Sequence, residues 1–205
     1  MKRSKILITF IITATCFLSV QTTKTFILPK IKVSLDKRTL HRSKGDPSYP
    51  LWVVEYLDFQ CGSCRFASQK IKEYLVQHPS KVFLQVRFFP IEGHPHGVRS
   101  AVYGECAAEQ NRFWDFYDIV FEKQPEWTQL KSIDTVFLGY TQVLRMDTKQ
   151  LEACVDNPKT ERTVTEEKQK AKSLGINVTP SFFIRGRLVT GIENALNELE
   201  KELKK

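Results

Sequence analysis

The sequence predicts an α/β fold interrupted by a block of helices. A short apolar strand, a helix and a second apolar strand follow one another between residues 51 and 90. Helical periodicity then runs over residues 97–174, and strand character returns afterwards. A strand, helix, strand unit favours parallel pairing of its two strands. At 205 residues, the chain is long enough to bury one sizeable core.

The first part of the fold is predicted over residues 21–96. Within it, residues 31–35 alternate as a short strand does, and a polar connection with turn-forming residues follows. Residues 51–59 are β-branched and aromatic, which is typical of a buried strand. A helix over residues 64–78 carries its apolar side chains on one stripe. Residues 81–90 form the second buried strand.

The stretch over residues 97–174 is predicted to be an all-helical insertion. Its clearest segment, residues 113–121, has apolar side chains at positions i, i+3, i+4, i+7 and i+8. Asn111 suits the left-handed turn between two helices. Asp147 and the glutamine three residues later resemble the capping box of a further helix. We expect Pro158 to end that helix.

The C-terminal part, residues 175–205, is predicted to return to the sheet. Gly175 suits the end of the last insertion helix. Residues 185–187 read as a hairpin turn between two short strands. The final stretch has apolar residues at helical spacing and therefore predicts an amphipathic helix.

Residues 1–20 have the pattern of a secretory signal. Lys2, Arg3 and Lys5 precede an uncharged and mostly apolar run. That run is short for a full membrane span, so cleavage is favoured and an uncleaved membrane anchor is the alternative. Export would place the protein in an oxidising compartment, the periplasm or the cell envelope, where thiols pair.

Two cysteines, Cys61 and Cys64, lie where the first buried strand runs into its helix. Their C-x-x-C spacing suits either zinc chelation or a reversible disulfide. A structural zinc site needs four ligands, and neither a second pair nor an H-x-x-x-H partner accompanies them. We therefore predict no metal and no cofactor. At a helix N-terminus, the free N–H groups favour an anion, so Cys61 is predicted to be an exposed thiolate with Cys64 in disulfide reach.

Cys106 and Cys154 form a second question, since Cys16 would be removed with the signal. Each lies on a predicted helix among apolar neighbours. One interpretation is two buried, reduced thiols that behave as small apolar side chains. The other is a disulfide between two helices, which the oxidising compartment favours.

The ordered motifs resemble those of the DsbA-like thiol:disulfide oxidoreductases, secreted proteins with a thioredoxin fold and an inserted all-helical subdomain. The resemblance covers nearly all of the chain after the signal. It is carried by GDPSYPLWVVEYLDFQCGSC, FFPIEGHPHG, GECAAEQNRFWDFYDIVF, LEACVDN and LGINVTPSFFIRG.

The resemblance implies roles for residues around the cysteines. Thr179 and Pro180 match a cis-proline step that offers backbone groups to an extended substrate, and an ordinary trans proline is the alternative. Glu55 takes the place of a buried acid that exchanges a proton with the second cysteine. A strand glutamate facing water is the alternative. Gly62 and Ser63 are expected to contact the substrate.

The same resemblance implies an exported enzyme that introduces disulfides into cysteine-containing exported proteins. A membrane redox partner would recycle the Cys61 and Cys64 pair. Gly62 and Ser63 bring no positive charge, so a disulfide reductase remains the alternative direction. A thioredoxin-fold protein that binds clients without turnover is a reading of another class. Despite the net charge of +8, no basic cluster interleaved with aromatic residues occurs, so nucleic acid is not an expected partner.

Overall fold

A computed structural model of the protein describes residues 37–205. The predicted signal over residues 1–20, with its export or anchoring role, lies outside the described residues. So do the spacer that follows it and the predicted strand over residues 31–35. In the part of the chain that the structure describes, every helix is too short or too polar to span a bilayer.

A five-stranded mixed sheet lies at the centre, with strand order β1-β3-β2-β4-β5. Strands β2 and β3 are parallel, and every other neighbouring pair is antiparallel. The parallel pair confirms the prediction from the strand, helix, strand unit. The strands are β1 (Ser43–Lys44), β2 (Leu51–Leu57), β3 (Val82–Phe88), β4 (Ser181–Ile184) and β5 (Arg187–Thr190).

Eight α-helices and a 3-10 helix, Lys37–Arg42, accompany the sheet within residues 37–205. The α-helices are α1 (Gly62–Gln77), α2 (Gly97–Glu109), α3 (Phe113–Glu122), α4 (Gln124–Trp127), α5 (Asp134–Val143), α6 (Thr148–Val155), α7 (Pro158–Ser173) and α8 (Ile192–Leu203). Helices α2 to α7 all lie between β3 and β4, so the predicted helical insertion in an α/β fold is confirmed.

The helices and the sheet bury three clusters of apolar side chains. On one face of the sheet, Ile71 of α1 and Leu199 of α8 belong to one buried cluster with the strands. On the other face, Ala171 of α7 packs with Tyr56 of β2. The insertion surrounds a third cluster around Phe59, just after β2. Cys61 and Cys64 belong to this third cluster and therefore lie where the sheet meets the insertion.

The approach of α2 to this third cluster depends on Gly104. A β-carbon at that position would lie 2.8 Å from the ring of Phe59 and 2.9 Å from the ring of Phe88. Both distances are shorter than real contacts allow, and both rings are buried. A glycine therefore lets the insertion pack directly against the end of β2.

The predicted turns are correct in their positions but differ in two details. Asn111 has a positive φ of 58°, and the Asp147 side chain accepts the predicted capping hydrogen bond. Pro158 begins α7 instead of ending α6, because a proline at the first helical position has no N–H to leave unpaired. Arg187 already belongs to β5, so the hairpin turn contains only Arg185 and Gly186.

The segment before β2 is more ordered than its polar sequence indicates. It was predicted as a connection, and it forms the 3-10 helix and β1. Arg42 in this segment is buried, and its guanidinium lies 3.1 Å from Glu105 of α2 and 2.9 Å from Glu167 of α7. These ion pairs join the segment before β2 to helices α2 and α7 of the insertion.

Cys106 of α2 and Cys154 of α6 form a disulfide, with their Cα atoms 5.8 Å apart. Of the two interpretations of this pair, the structure has the bridge. The disulfide joins two helices within the insertion, whereas the thiols of Cys61 and Cys64 are free.

Candidate active site

Cys61 and Cys64 lie at the beginning of α1, after the turn that follows β2. Cys61 is the N-cap residue and has an extended backbone, with φ −76° and ψ 120°. Its N–H donates to the carbonyl of Asp58 at 3.1 Å, which closes the turn. Cys64 follows within the first turn of the helix, as the spacing predicts.

Cys61 is less exposed than the sequence predicts, with 8% of its surface accessible, and Cys64 is fully buried. The loop before β4 covers the first thiol, since the Cys61 Sγ lies 3.6 Å from the Thr179 carbonyl oxygen. The buried Gln124 side chain of α4 donates hydrogen bonds to the carbonyls of Phe59 at 2.7 Å and Cys61 at 3.0 Å. Sequence periodicity could not show either contact, because both partners are distant in the chain.

The pKa of Cys61 is lowered from 9.0 to about 5. The largest cause is a hydrogen bond from the Cys64 side chain to the thiolate, and burial acts in the opposite direction. The Thr179 side chain and the backbone N–H groups of Cys64 and Ser63 also stabilise the thiolate. A thiolate does not donate to a carbonyl, so the 3.6 Å contact with Thr179 belongs to the thiol form.

The two thiols have opposite protonation preferences. The pKa of Cys64 is raised well above 9.0, first by burial and then by the hydrogen bond and charge of Cys61. At neutral pH, Cys61 is therefore the thiolate and Cys64 the neutral thiol. In this arrangement, one cysteine can react with a sulfur atom of another molecule, and the second can act as the resolving thiol.

Glu55 lies in the middle of β2 and is completely buried. The alternative of a glutamate facing water is therefore wrong. Burial raises its pKa from 4.5 to about 8, and the hydroxyl of Tyr117 lowers it in part. Neither carboxyl oxygen has a hydrogen-bond partner among residues 37–205. A carboxyl with this pKa both accepts and donates a proton near neutral pH.

Replacing Glu55 with glutamine is expected to stabilise the reduced protein at neutral pH. Because the folded-state pKa lies above 4.5, the folded protein holds this proton more tightly than the unfolded chain. In the wild type, the free energy of unfolding that the more tightly held Glu55 proton contributes is complete below pH 4.5 and is lost as the pH rises toward 8. We expect the variant to gain about 3 kcal/mol over wild type at pH 7.

This gain is measured as the difference in urea unfolding free energy between variant and wild type from pH 4 to pH 9, with reductant present. Both proteins carry the same thiols, so thiol titration cancels in the difference. A difference that is flat across this range would mean that Glu55 is ionised in the folded protein like an exposed carboxylate.

The peptide bond between Thr179 and Pro180 is cis, so the trans alternative is wrong. Pro180 lines a shallow groove beside Cys61 together with the exposed Gly62 and Ser63. Phe66 forms part of the same groove and is 47% exposed, which is high for a phenylalanine. The groove can therefore accept an apolar side chain next to the reactive sulfur.

The histidines near the site have structural partners. His94 Nδ1 lies 2.7 Å from a carboxyl oxygen of Asp58, and His96 Nε2 lies 2.7 Å from the Leu130 carbonyl. Within residues 37–205, no group of three or more potential ligands could hold a metal ion.

Three residues that organise the site were not identified from the sequence as site residues. Asp58 accepts hydrogen bonds from the backbone N–H groups of Gln60 and Ile91 and thereby joins two loops. Asp58 lay inside the strand predicted over residues 51–59, and an acidic residue near the end of such an apolar run was a usable signal. Gln124 and the hydroxyl of Tyr117 gave no such signal, because a buried polar atom within an apolar helical segment has no sequence pattern.

The fold and the cysteine site together define a protein of the thioredoxin class, with a helical insertion between β3 and β4. A family model described as thioredoxin matches residues 37–205. The chain belongs to this family.

Known structures with a similar fold include the thiol-disulfide exchange protein α-DsbA2 from Wolbachia pipientis, with a TM-score of 0.66 at 20% identity, covering 78% of this chain and 86% of that one. BdbD from Bacillus subtilis, in its oxidised form, has a TM-score of 0.70 at 20% identity, covering 80% of this chain and 93% of that one. The α-DsbA1 of Wolbachia pipientis has a TM-score of 0.65 at 23% identity, covering 78% and 89%. The fold of this protein is therefore DsbA-like.

A Na(+)/H(+) antiporter NhaA from Herminiimonas arsenicoxydans is 30% identical over 172 residues. The match covers 84% of this chain and 27% of the antiporter. The chain thus spans about a quarter of the length of the curated relatives it matches.

Proposed function

We propose that this protein is a thiol:disulfide oxidoreductase that introduces disulfides into exported proteins through Cys61 and Cys64. The observation that carries the proposal is the contrast between the two thiols. Cys61, at the start of α1, has a pKa of about 5, whereas the buried Cys64 has a raised pKa. A strongly stabilised thiolate favours the dithiol form of the protein, and this makes its disulfide an oxidant.

The reaction begins with the Cys61 and Cys64 disulfide. A substrate thiolate attacks the Cys61 sulfur, a new bond joins the substrate to Cys61, and the bond between Cys61 and Cys64 breaks. A second substrate thiolate then attacks the substrate sulfur, and Cys61 leaves as a thiolate. Two electrons pass from the substrate dithiol to the protein. The low pKa of Cys61 makes it a good leaving group in this second step.

Glu55 donates a proton to the buried Cys64 sulfur and accepts one from it. When Cys64 is released, it is a thiolate in a site where burial strongly disfavours that charge. The protonated Glu55, with a pKa of about 8, donates its proton to Cys64. Re-oxidation runs the other way, and the Glu55 carboxylate accepts the Cys64 proton as this thiol attacks.

The groove beside Cys61 receives the substrate chain. Gly62, Ser63 and Pro180 border it, so an extended segment with its cysteine over Cys61 would meet the backbone next to Thr179. The exposed Phe66 offers an apolar contact to a neighbouring substrate side chain. Unfolded exported proteins carry accessible cysteines with apolar neighbours and fit this groove.

The pair must be re-oxidised after each turnover, and we propose a membrane redox protein as the electron acceptor. The N-terminal pattern of basic residues followed by an apolar run supports export, with either cleavage or retention as an anchor. Both routes bring the protein to the compartment in which its substrates and the membrane partner occur.

The reduction potential of the Cys61 and Cys64 pair tests the direction of the reaction. Equilibration of residues 21–205 against glutathione buffers, with the two states resolved by alkylation and mass, gives this potential. We expect a value toward about −120 mV, which is that of a disulfide donor. A value near about −270 mV would instead establish the reductase alternative.

A further inference from the structure

Tyr117 and Glu55 are two buried polar groups with no partner of their own. Tyr117 lies on α3 in the insertion and is 2% exposed, and Glu55 lies on β2 and is 0% exposed. Neither the Tyr117 hydroxyl nor the Glu55 carboxyl oxygens has a hydrogen-bond partner among the described residues. Unpartnered buried polar groups are rare and costly. These two lie close enough for the Tyr117 hydroxyl to lower the pKa of Glu55, although no hydrogen bond of normal geometry joins them.

The ring of Tyr117 is fixed in place by its aromatic neighbours. Its centroid lies 4.9 Å from the Phe121 ring, 5.9 Å from the Phe113 ring and 6.1 Å from the Phe59 ring. The same buried cluster contains Cys64. The hydroxyl therefore cannot turn toward solvent without breaking this packing.

The charged and titratable groups that act on the Tyr117 hydroxyl come from three elements. They are Glu55 on β2, Cys64 on α1 and Asp118 on α3, and each raises the pKa of Tyr117 as burial does. Asp118 is neutralised by Lys72 of α1 at 2.6 Å. Tyr117 therefore remains a neutral donor, and Glu55 is the buried acceptor that lacks a partner.

We propose that Tyr117 is a positioning residue for Glu55, whose carboxylate accepts a hydrogen bond from the Tyr117 hydroxyl, directly or through one water. This leaves the other carboxyl oxygen free to exchange a proton with Cys64. The inference rests on the proposed thiol:disulfide exchange and gives the helical insertion a part in its proton transfer.

The hydrogen bond has a definite chemical effect. A donor to a carboxylate favours the charged form, which opposes the effect of burial. Without it, Glu55 would remain protonated through the neutral range and could not accept the Cys64 proton during re-oxidation. With it, the carboxyl titrates at about pH 8 and serves in both directions.

The first experiment titrates the Glu55 carboxyl by carbon NMR in the reduced protein, with Glu55→Gln identifying the signal. Tyr117→Phe is expected to raise the midpoint by about one pH unit, as loss of one hydrogen bond to a charged group implies. Tyr140→Phe is the matched control, because its hydroxyl is also buried without a partner among residues 37–205. It should leave the midpoint unchanged. An unchanged midpoint in Tyr117→Phe would overturn the proposal.

The second experiment follows re-oxidation of the dithiol by a small disulfide as a function of pH. Tyr117→Phe should move the Glu55-dependent inflection upward by the same interval and have no further effect in a Glu55→Gln background. If Tyr117→Phe shifted the pH profile of re-oxidation equally in the Glu55→Gln background, the effect would not act through Glu55, and Tyr117 would have a merely structural role.

Failure of this proposal is separable from failure of the proposed function. The NMR midpoint of Glu55 shows whether Tyr117 acts on it even in a protein without exchange activity. A wild-type protein that catalyses no disulfide exchange would reject the proposed function alone. Near-ultraviolet circular dichroism checks the fold of each variant. If Tyr117→Phe does not fold, site-specific fluorotyrosine at position 117 strengthens the donor and should lower the midpoint. An unchanged midpoint there also counts against the proposal.

Discussion

Replacing Cys61 with serine is expected to reduce disulfide exchange to the uncatalysed rate. Cys61 has the low pKa, is 8% exposed and directly precedes Gly62 of the groove, whereas Cys64 is fully buried. Serine keeps the size of the side chain and lacks the chemistry, since a hydroxyl forms no disulfide. The Cys64→Ser variant should behave differently once its Cys61 has been converted to a mixed disulfide with glutathione. A substrate thiolate can then displace glutathione and bind to Cys61, and this adduct persists if the substrate has no second thiol.

Exchange activity is measured by oxidative refolding of a reduced, unfolded protein that has several cysteines. Adducts are measured by mass spectrometry with a single-cysteine substrate, after each variant has been treated with oxidised glutathione. We expect no adduct with Cys61→Ser and a stable one-to-one adduct with Cys64→Ser. Ser173→Ala, at the distant end of α7, is the control for handling and fold. If Cys61→Ser still supported the biological activity of the protein, the client-binding reading without turnover would replace the oxidoreductase.

The order of elements could be predicted because periodicity is a local signal. The strand, helix, strand unit and the stripe over residues 113–121 each repeat within a few residues, and both became the elements expected of them. The position of the cysteine pair followed from the same signals, since a strand that runs into a helix fixes the helix N-terminus. Glu55 entered through the resemblance, and burial in β2 is now the physical reason for its raised pKa.

What could not be predicted depends on contacts between distant parts of the chain. The stripe that contains Tyr117 predicted a core residue, yet nothing in the sequence placed its hydroxyl near a carboxyl on β2. Cys61 was expected to be exposed, and the loop at Thr179 covers it. Arg42 occurs in a polar stretch, and its burial depends on Glu105 and Glu167 from the insertion. A periodic pattern carries no information about such partners.

Apart from the contact between Cys61 and Thr179, these missed contacts lie between the insertion and the rest of the molecule. Gln124 holds the loop before α1, Tyr117 faces Glu55, and Arg42 pairs with α2 and α7. The insertion is therefore more than a cover over the sheet. Its helices α3 and α4 supply two polar groups of the thiol site, the Tyr117 hydroxyl and the Gln124 side chain.

Removing the disulfide between Cys106 and Cys154 is expected to lower the free energy of unfolding by about 4 kcal/mol in the chain-entropy model. The bridge spans 48 residues of sequence, and this long loop gains considerable freedom in the unfolded chain once the bond is gone. The comparison is between wild type and the double Cys106→Ala, Cys154→Ala variant, unfolded with urea under non-reducing conditions.

The two single variants separate the bridge from simple packing. If one bond joins these residues, Cys106→Ala and Cys154→Ala should each lose nearly as much stability as the double variant, because either one removes the same bond. Losses that add would mean two independent buried thiols instead. The variants should also keep the reduction potential of the Cys61 pair, since the bridge lies between α2 and α6 and shares no atom with that site. A changed potential would show that the insertion transmits strain to the thiols, and its contacts through Gln124 and Tyr117 are the route it would take.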